Sequence, residues 1–263
     1  MIKLGETLTT DNDIQALYVF NSNPAATAPN QNKVLAGLMR DDLFVIVHEL
    51  FMSDTAQRAN LVLPACTQAE QWDLHRSYWH DYAQINNPAI VPQGEARSNH
   101  WVFAQIAQAM GFEEPCFRES EEDTLRGLLA GTSLDFDALA AGPISCMPEE
   151  ETSFANRKFS TPSGKLELMT PSYTPAPGDT VHPYRFITPK SRHLQSSQLF
   201  NLARKHVGVR EPVVYLHPHD AQREKIEEGA AVRLWNERGE VELLARLSED
   251  VQPGLVVSHM VRW

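Results

Sequence analysis

The residues best suited to bind a ligand form a short polar run, Asn21-Ser-Asn-Pro24, which follows an apolar run beginning at Leu17. A helix-like segment, residues 30–40, and a second apolar run, residues 43–47, come next. This order predicts a βαβ unit, in which the loops at the carboxyl ends of the strands form the ligand crevice. No Gly-rich phosphate loop is present. The ligand would therefore be held by side chains such as Asn23 and by backbone groups.

A second polar group contains residue types that bind metals, namely Asp73, His75, His80 and Asp81. A spacing of five residues places the two histidines on different faces of a helix and on opposite faces of a strand. We therefore expect surface or funnel positions here and no metal site. The neighbouring aromatic residues are expected to pack, and they are Trp72, Tyr78, Trp79 and Tyr82.

The three cysteines, Cys66, Cys116 and Cys146, form no CxxC pair. This spacing argues against an iron–sulfur cluster or a four-cysteine zinc site within the chain, and against a disulfide framework. Cys66 is expected to be a small buried residue and no metal ligand. Asp220, near a predicted helix start at residues 217–221, is expected to cap that helix and to complement its dipole.

Length and charge limit the class of protein. A chain of 263 residues with 42% hydrophobic residues can form one large domain or two ordinary ones. The net charge of −11 is concentrated in residues 113–151, which hold eleven acidic residues and two arginines. Residues 181–263 are weakly basic, with twelve Lys and Arg against ten Asp and Glu, which does not indicate nucleic-acid binding. No transmembrane run or secretion signal is visible, so a cytoplasmic location is expected.

The elements that would position these residues change along the chain. Residues 1–112 indicate an α/β domain, with an Asn30-capped helix, fully covered strands at 43–47 and 61–63, and a helix capped by Ser98 and ended by Gly111. Residues 113–181 predict an acidic connector with short helices and a hairpin at 159–170.

Residues 182–263 predict a small β-barrel, because several short strands surround one short helix. The strand candidates are residues 184–188, 213–216, 231–235, 241–246 and 255–258. Residues 236–239 predict a tight turn in which Gly239 takes a positive φ.

These features, in this order, resemble the C-terminal half of the molybdopterin oxidoreductases of the dimethyl sulfoxide reductase superfamily, over essentially the entire chain. The matching segments are residues 21–24, 54–65, 92–99, 161–168, 188–197, 217–241 and 251–257. The resemblance implies an α/β Rossmann-like parallel sheet domain (1–112), the connector (113–181) and a small double-psi β-barrel domain (182–263). It also implies a bis-molybdopterin guanine dinucleotide cofactor with molybdenum or tungsten.

The resemblance implies cofactor contacts at the following residues, which are Asn23, His48, Glu49, Gln71, Asn99, Thr188, Lys190, Arg192, His193, Ser196 and Ser197. Simpler readings stay open for some of them. Asn23 could merely close a turn with Pro24, Glu49 could be an ordinary exposed residue after a strand, and Lys190 and Arg192 could be solvated surface cations.

The implied function is that of the cofactor-binding portion of a formate dehydrogenase- or nitrate reductase-like oxidoreductase. The family's cysteine motif, its iron–sulfur cluster and its metal ligand belong to earlier domains, so turnover would need those domains or a partner chain that supplies them. The segment that follows the Leu63-Pro-Ala65 strand departs from the family pattern, which leaves the substrate class open. Two alternatives are a non-catalytic split subunit and a nucleotide-binding module without redox chemistry.

Overall fold

The structure is a computed structural model that describes residues 2–10, 13–146, 154–170, 172, 181–191, 196–198 and 212–259. Arg192 and His193 lie outside the described residues. The chain divides into two compact units, residues 1–62 with 175–263, and residues 63–174.

The first unit contains an α/β segment and a mixed sheet. Its α/β segment comprises α1 (Leu4–Thr10), β1 (Ala16–Phe20), α2 (Pro24–Thr27), α3 (Gln31–Leu38) and β2 (Phe44–Glu49), and β3 (Leu61–Pro64) spans the division between the units. The second unit comprises β4 (Asp73–Arg76), β5 (Tyr82–Asn86), α4 (Asn99–Ala109), α5 (Glu121–Leu129), α6 (Phe136–Ala141) and β6 (Ile144–Ser145). The mixed-sheet segment of the first unit comprises β7 (Arg185–Ile187), β8 (Val213–Leu216), α7 (Pro218–Glu224), β9 (Ala231–Asn236), β10 (Gly239–Leu247) and β11 (Leu255–Val257).

The predicted βαβ unit is confirmed. β1 and β2 pair in parallel, from Ala16 opposite Phe44 to Phe20 opposite His48, and the sheet order is β1-β2-β3. Helix α3 buries Val34 and Leu38 in the core that it forms with these strands. Apolar burial of this kind contributes about 25 cal/mol per Å², so the buried contacts of Val34 and Leu38 stabilise this segment.

Two local expectations for this segment were wrong. β2 is not covered on both faces, because Val45 and Val47 are fully buried while Phe44 is 49% exposed. Asn30 precedes α3 as predicted, but it has a left-handed backbone with φ of 58° and its side chain makes no cap hydrogen bond. Its main-chain carbonyl accepts the N–H groups of Lys33 and Val34 instead.

Helix α1, which the sequence did not reveal, packs against α3 through glycine. A Cβ atom added at Gly37 would collide with the Cβ of Leu8, and one added at Gly5 would lie 2.9 Å from the Cβ of Lys33. Leu8 is fully buried in the same core as Val34. The two helices therefore lie close together because one residue of each contacting pair is a glycine.

The mixed sheet has the order β7-β11-β8-β10-β9, and its strands occupy the five predicted positions. β10 runs parallel to β8 and antiparallel to β9, while β11 runs antiparallel to β8 and parallel to β7. Leu216, Ala221 and Ala245 form its buried core with α7.

The turn between β9 and β10 was predicted at the correct place but for the wrong reason. Asn236 and Gly239 pair in register, yet Gly239 does not adopt a positive φ. A Cβ at Gly239 would lie 3.0 Å from the Nδ2 of Asn32, and that amide donates to the Arg238 carbonyl at 2.8 Å. A side chain at position 239 would therefore crowd the Asn32 amide that bonds the Arg238 carbonyl.

The second unit is built on a hairpin that the sequence analysis missed. β5 lies between β4 and β6, and Ala83 and Ile85 of β5 pack against Leu125 of α5 and Leu139 of α6. The acidic segment therefore contributes apolar faces to this core. The hairpin predicted at 159–170 is not formed, because residues 154–170 contain turns and no strand.

Replacing Gly37 by alanine is expected to destabilise the first unit by about 1–3 kcal/mol, because the new methyl group overpacks the α1–α3 contact. The matched control is Gly127→Ala in α5, where a Cβ meets nothing within 4 Å. That change should leave stability equal or up to about 1 kcal/mol higher, since alanine favours a helix over glycine. Urea unfolding of both variants measures the difference, and equal effects would contradict the proposed close contact.

Candidate functional site

The loops that follow β1 and β2 are joined by hydrogen bonds through Thr55. The Oδ1 atom of Asn23 accepts the Thr55 hydroxyl at 2.7 Å and the Thr55 main-chain N–H at 3.2 Å. The Thr55 Oγ1 in turn accepts the N–H of Ala25 at 3.1 Å. Asn23 is 6% exposed and Thr55 is fully buried. The two loops are therefore fixed to each other by a buried polar network.

One end of this network has no hydrogen-bond partner among the residues that the structure describes. The Nδ2 amide of Asn23 is buried without a hydrogen-bond partner in the described part of the chain, and the Asn23 side chain does not cap α2. The Oδ2 atom of the nearby Asp54 is also buried and unpartnered among those residues. A buried donor that lacks an acceptor costs about 1–3 kcal/mol. An unsatisfied amide at the carboxyl end of a parallel strand is therefore a candidate ligand contact.

His48 and Glu49 lie at the end of β2, as predicted. His48 is fully buried opposite Phe20 in the parallel register. Glu49 is half-buried, and its Oε1 accepts the N–H of Leu50 at 2.7 Å. The loop then exposes three consecutive apolar side chains, which are Leu50, Phe51 and Met52.

The candidate residues after β7 are only partly described. Thr188 and Lys190 are exposed, whereas Ser196 and Ser197 are half-buried. Ser196 has a left-handed backbone with φ of 51°. A non-glycine residue in this region is uncommon, so the loop has a specific shape at this point.

A cavity of about 910 Å³ lies within the first unit, between the start of α3 and the mixed sheet. Asn30, Gln31 and Asn32 line one side, and strand residues line the other. The Nε2 of Gln31 donates to the Ala25 carbonyl at 2.8 Å, which connects this wall to the Asn23 loop. Among the described residues, however, neither Asn23 nor Thr188 lines the cavity. Those two predicted contacts are therefore not part of this cavity.

Tyr184 lines this cavity and joins a charged group. Its hydroxyl donates to the Oε1 of Glu224 at 2.7 Å and accepts from the Nη2 of Arg223 at 2.7 Å. Burial, followed by the Glu224 carboxylate, raises the pKa of Tyr184, while Arg223 opposes that rise. The phenol therefore stays protonated at neutral pH and acts as a hydrogen-bond donor.

Gln71 and Asn99 lie in the second unit, and both are half-buried. Asn99 is the first residue of α4, directly after Ser98, whose hydroxyl accepts the Trp101 N–H as the sequence predicted. The main-chain carbonyl of Gln71 accepts the Nδ2 of Asn86 at 2.8 Å.

Glu70, a residue that the sequence analysis did not single out, holds the loop before Gln71. Its Oε2 accepts the Thr67 N–H at 2.6 Å and its Oε1 accepts the Gln93 N–H at 2.7 Å. These bonds, with Thr67 the larger contributor, hold the pKa of Glu70 below its usual range. The Thr67-x-x-Glu70 spacing is a capping box and could have indicated this role.

The two histidines considered as metal ligands are nearer than their spacing suggested. His75 and His80 both line a cavity of about 490 Å³ in the second unit, because the β4–β5 hairpin turns between them. The Nε2 of His75 lies 3.6 Å from the Oδ2 of Asp73. Within the described ranges, no group of three or more His, Cys, Asp or Glu residues is arranged to hold a metal ion.

The expectations for the other residues gave mixed results. Trp72 packs on Phe136 with ring centroids 5.7 Å apart, but Tyr78 and Trp79 are almost fully exposed and do not pack. Cys66 is half-buried and not fully buried as expected, and its partial burial raises the pKa of its thiol.

Asp220 does not cap α7. Its Oδ2 accepts the Gly254 N–H at 2.6 Å from a fully buried position, and Arg223 lies 3.1 Å from its Oδ1. The cap is His217, whose Nδ1 accepts the His219 N–H.

Comparison with protein families gives two matches along the chain. A model described as molybdopterin oxidoreductase matches residues 3–109, and one described as molydopterin dinucleotide binding domain matches residues 184–263.

In the described residues, no helix is long and apolar enough to cross a membrane.

Individual proteins agree with these matches. "Probable oxidoreductase YoaE" of Bacillus subtilis is 38% identical over 98% of this chain and 41% of its own length. The F420-dependent formate dehydrogenase subunit alpha of Methanocaldococcus jannaschii is 26% identical over 93% of this chain and 38% of its own length. The structure of acetylene hydratase from Pelobacter acetylenicus has the same fold, with a TM-score of 0.79 and 20% identity over 99% of this chain and 39% of that chain.

The α/β segment is matched by the molybdopterin oxidoreductase model, and the mixed-sheet segment is matched by the dinucleotide binding domain model. The chain belongs to the molybdopterin oxidoreductase family of the dimethyl sulfoxide reductase superfamily. It spans about two fifths of the length of the relatives described above.

Glu70→Gln is expected to lower the melting temperature at pH 7, because a carboxamide cannot accept both the Thr67 and the Gln93 N–H groups with its two terminal atoms. The lowered pKa of Glu70 means that its contribution is present above the ordinary glutamate pKa and is lost as the pH falls through the lowered value. The difference in melting temperature between the wild type and the Glu70→Gln variant should therefore shrink between pH 7 and about pH 3.

The control is Glu240→Gln, since Glu240 forms only an exposed pair with Arg233 among the contacts described. Thermal unfolding across that pH range should show little effect for this variant. A Glu70→Gln difference that stays constant with pH would contradict the assigned role.

Proposed function

We propose that this chain is the cofactor-binding portion of an oxidoreductase that uses bis-molybdopterin guanine dinucleotide with molybdenum or tungsten. Beside the family matches, the single structural observation that supports this proposal is the Asn23 Nδ2, which is buried and has no hydrogen-bond partner among the described residues. A cofactor with phosphate and carbonyl oxygens supplies the acceptors that this amide lacks. The buried donor and the half-buried Glu49 carboxylate fit the donor and acceptor groups of such a nucleotide.

The proposal assigns separate tasks to the segments of the chain. Residues 1–112 are a Rossmann-like domain, 113–181 a connector, and 182–263 a double-psi β-barrel. The residues that hold the cofactor are Asn23, His48, Glu49, Gln71, Asn99, Thr188, Lys190, Arg192, His193, Ser196 and Ser197. When bound, the metal of the cofactor supplies the redox change, while the protein binds and orients it.

The reaction of the whole protein is proposed to be of the formate dehydrogenase or nitrate reductase kind. The relatives described above extend well beyond the matched region, so further domains or a partner chain would provide the metal ligand and an iron–sulfur cluster. Two alternatives are a split subunit that completes its site with a partner and a nucleotide-binding module without redox chemistry.

The chain, expressed in a host that makes the cofactor, is expected to retain guanine nucleotide and pterin but to show little turnover of formate or nitrate. Mass spectrometry, metal analysis and dye-linked assays measure these quantities. Rapid turnover by the 263-residue chain alone would contradict the need for further domains. Absence of both nucleotide and pterin would contradict the proposed function.

The alternatives give different results in the same preparation. Guanine nucleotide without molybdenum or tungsten would favour the nucleotide-binding module. Co-purification with a larger, cysteine-rich chain would favour the split subunit. Asn23→Ala is expected to lower retained nucleotide about tenfold, because one buried hydrogen bond of about 1.4 kcal/mol is lost. Its control, Asn156→Ala, removes the side chain of an exposed asparagine that the proposal does not assign to the cofactor, and it should leave retention unchanged.

A further inference from the structure

We infer that Thr55 is a positioning residue that makes Asn23 an obligate hydrogen-bond donor to the ligand. This inference rests on the proposed function, because it concerns the atom of Asn23 that would meet the cofactor. Thr55 itself is fully buried and need not touch the ligand. Its effect passes through the two bonds that it donates to the Asn23 Oδ1.

The orientation of the Asn23 carboxamide follows from the main chain. The Thr55 main-chain N–H can only donate, so the Asn23 atom that it meets at 3.2 Å has to be the oxygen. This bond distinguishes Oδ1 from Nδ2, two atoms that would otherwise be interchangeable by a flip of the amide.

The Thr55 hydroxyl stabilises the same orientation of the Asn23 carboxamide. Its oxygen accepts the N–H of Ala25 at 3.1 Å, and its own proton is donated to the Asn23 Oδ1 at 2.7 Å. Hydrogen bonds connected in this way polarise one another, so the Ala25–Thr55–Asn23 chain is stronger than separate bonds would be. A valine at position 55 would remove the proton and the acceptor together.

This orientation of the Asn23 carboxamide determines which groups of a ligand it can bind. Two donors already bind the Asn23 Oδ1, so the side chain offers its Nδ2 protons to any further partner. That partner has to be an acceptor, such as a phosphate or carbonyl oxygen. An aspartate at position 23 would keep both bonds from Thr55 but would present an anionic oxygen where the amide protons now lie.

The test uses the full chain and guanosine diphosphate as the probe, with the dissociation constant measured by calorimetry and the melting temperature measured in parallel. Thr55→Val is expected to weaken binding about fivefold to thirtyfold, and Asn23→Asp by at least as much. Thr55→Ser, which keeps the hydroxyl, should bind within about twofold of wild type.

The stability control is Leu129→Ala, a core change in the second unit that lowers the melting temperature without touching this network. The inference is overturned if Thr55→Val binds like the wild type, if Thr55→Ser fails to restore binding, or if Leu129→Ala weakens binding equally. In each of these cases, weaker binding of guanosine diphosphate by the Asn23→Asp variant would still support the proposed function. Failure of the wild-type chain to bind guanosine diphosphate or to retain cofactor would instead reject the proposed function, and the inference with it.

Discussion

The parallel pairing of β1 with β2 determines where the groups of the candidate site lie. The register places Phe20 opposite His48, so the two strands end level and their loops leave the sheet at one edge. Thr55 can then reach Asn23 across 32 residues of chain. A slip of one residue would turn Val45 and Val47 away from the core and carry the loops apart, because alternate side chains of a strand face opposite sides.

Both units fix their loops with a buried polar residue that accepts two hydrogen bonds. In the first unit Asn23 accepts the N–H and the hydroxyl of Thr55. In the second unit Glu70 accepts the N–H groups of Thr67 and Gln93. Glu70 and Asn23 differ in whether the described residues satisfy all of their hydrogen-bonding atoms. Both oxygens of Glu70 are engaged in holding the loop, whereas Asn23 retains a donor that no described residue meets.

The sequence predicted the features whose signal is local. The strands β1 and β2 and the Ser98 cap appear at the expected positions, because each of these signals depends on neighbouring residues. The features that were missed depend on distant partners. The role of Gly37 is visible only from its contact with Leu8. The role of Thr55 is visible only from its hydrogen bond to Asn23, although Thr55 lies inside a segment that resembled the family.

The second unit shows a different limit of prediction. The β4–β5 hairpin was missed because its strands mix charged residues with few apolar ones, and Ala83 and Ile85 are recognisable as core only beside α5 and α6. The same hairpin brought His75 and His80 to one cavity, against an argument that assumed a single regular element. The proposed ligand contacts came from resemblance to a family, since an isolated asparagine after a strand has many uses.

The first unit is discontinuous, with residues 63–174 inserted between its two parts. The bond from Asn32 to the Arg238 carbonyl joins groups 206 residues apart, and contacts of such separation form slowly. During synthesis on the ribosome the inserted unit has its whole core available early. The α/β segment is synthesised before the mixed sheet of the same unit, so contacts between these two segments form only after residues 63–174 have been made.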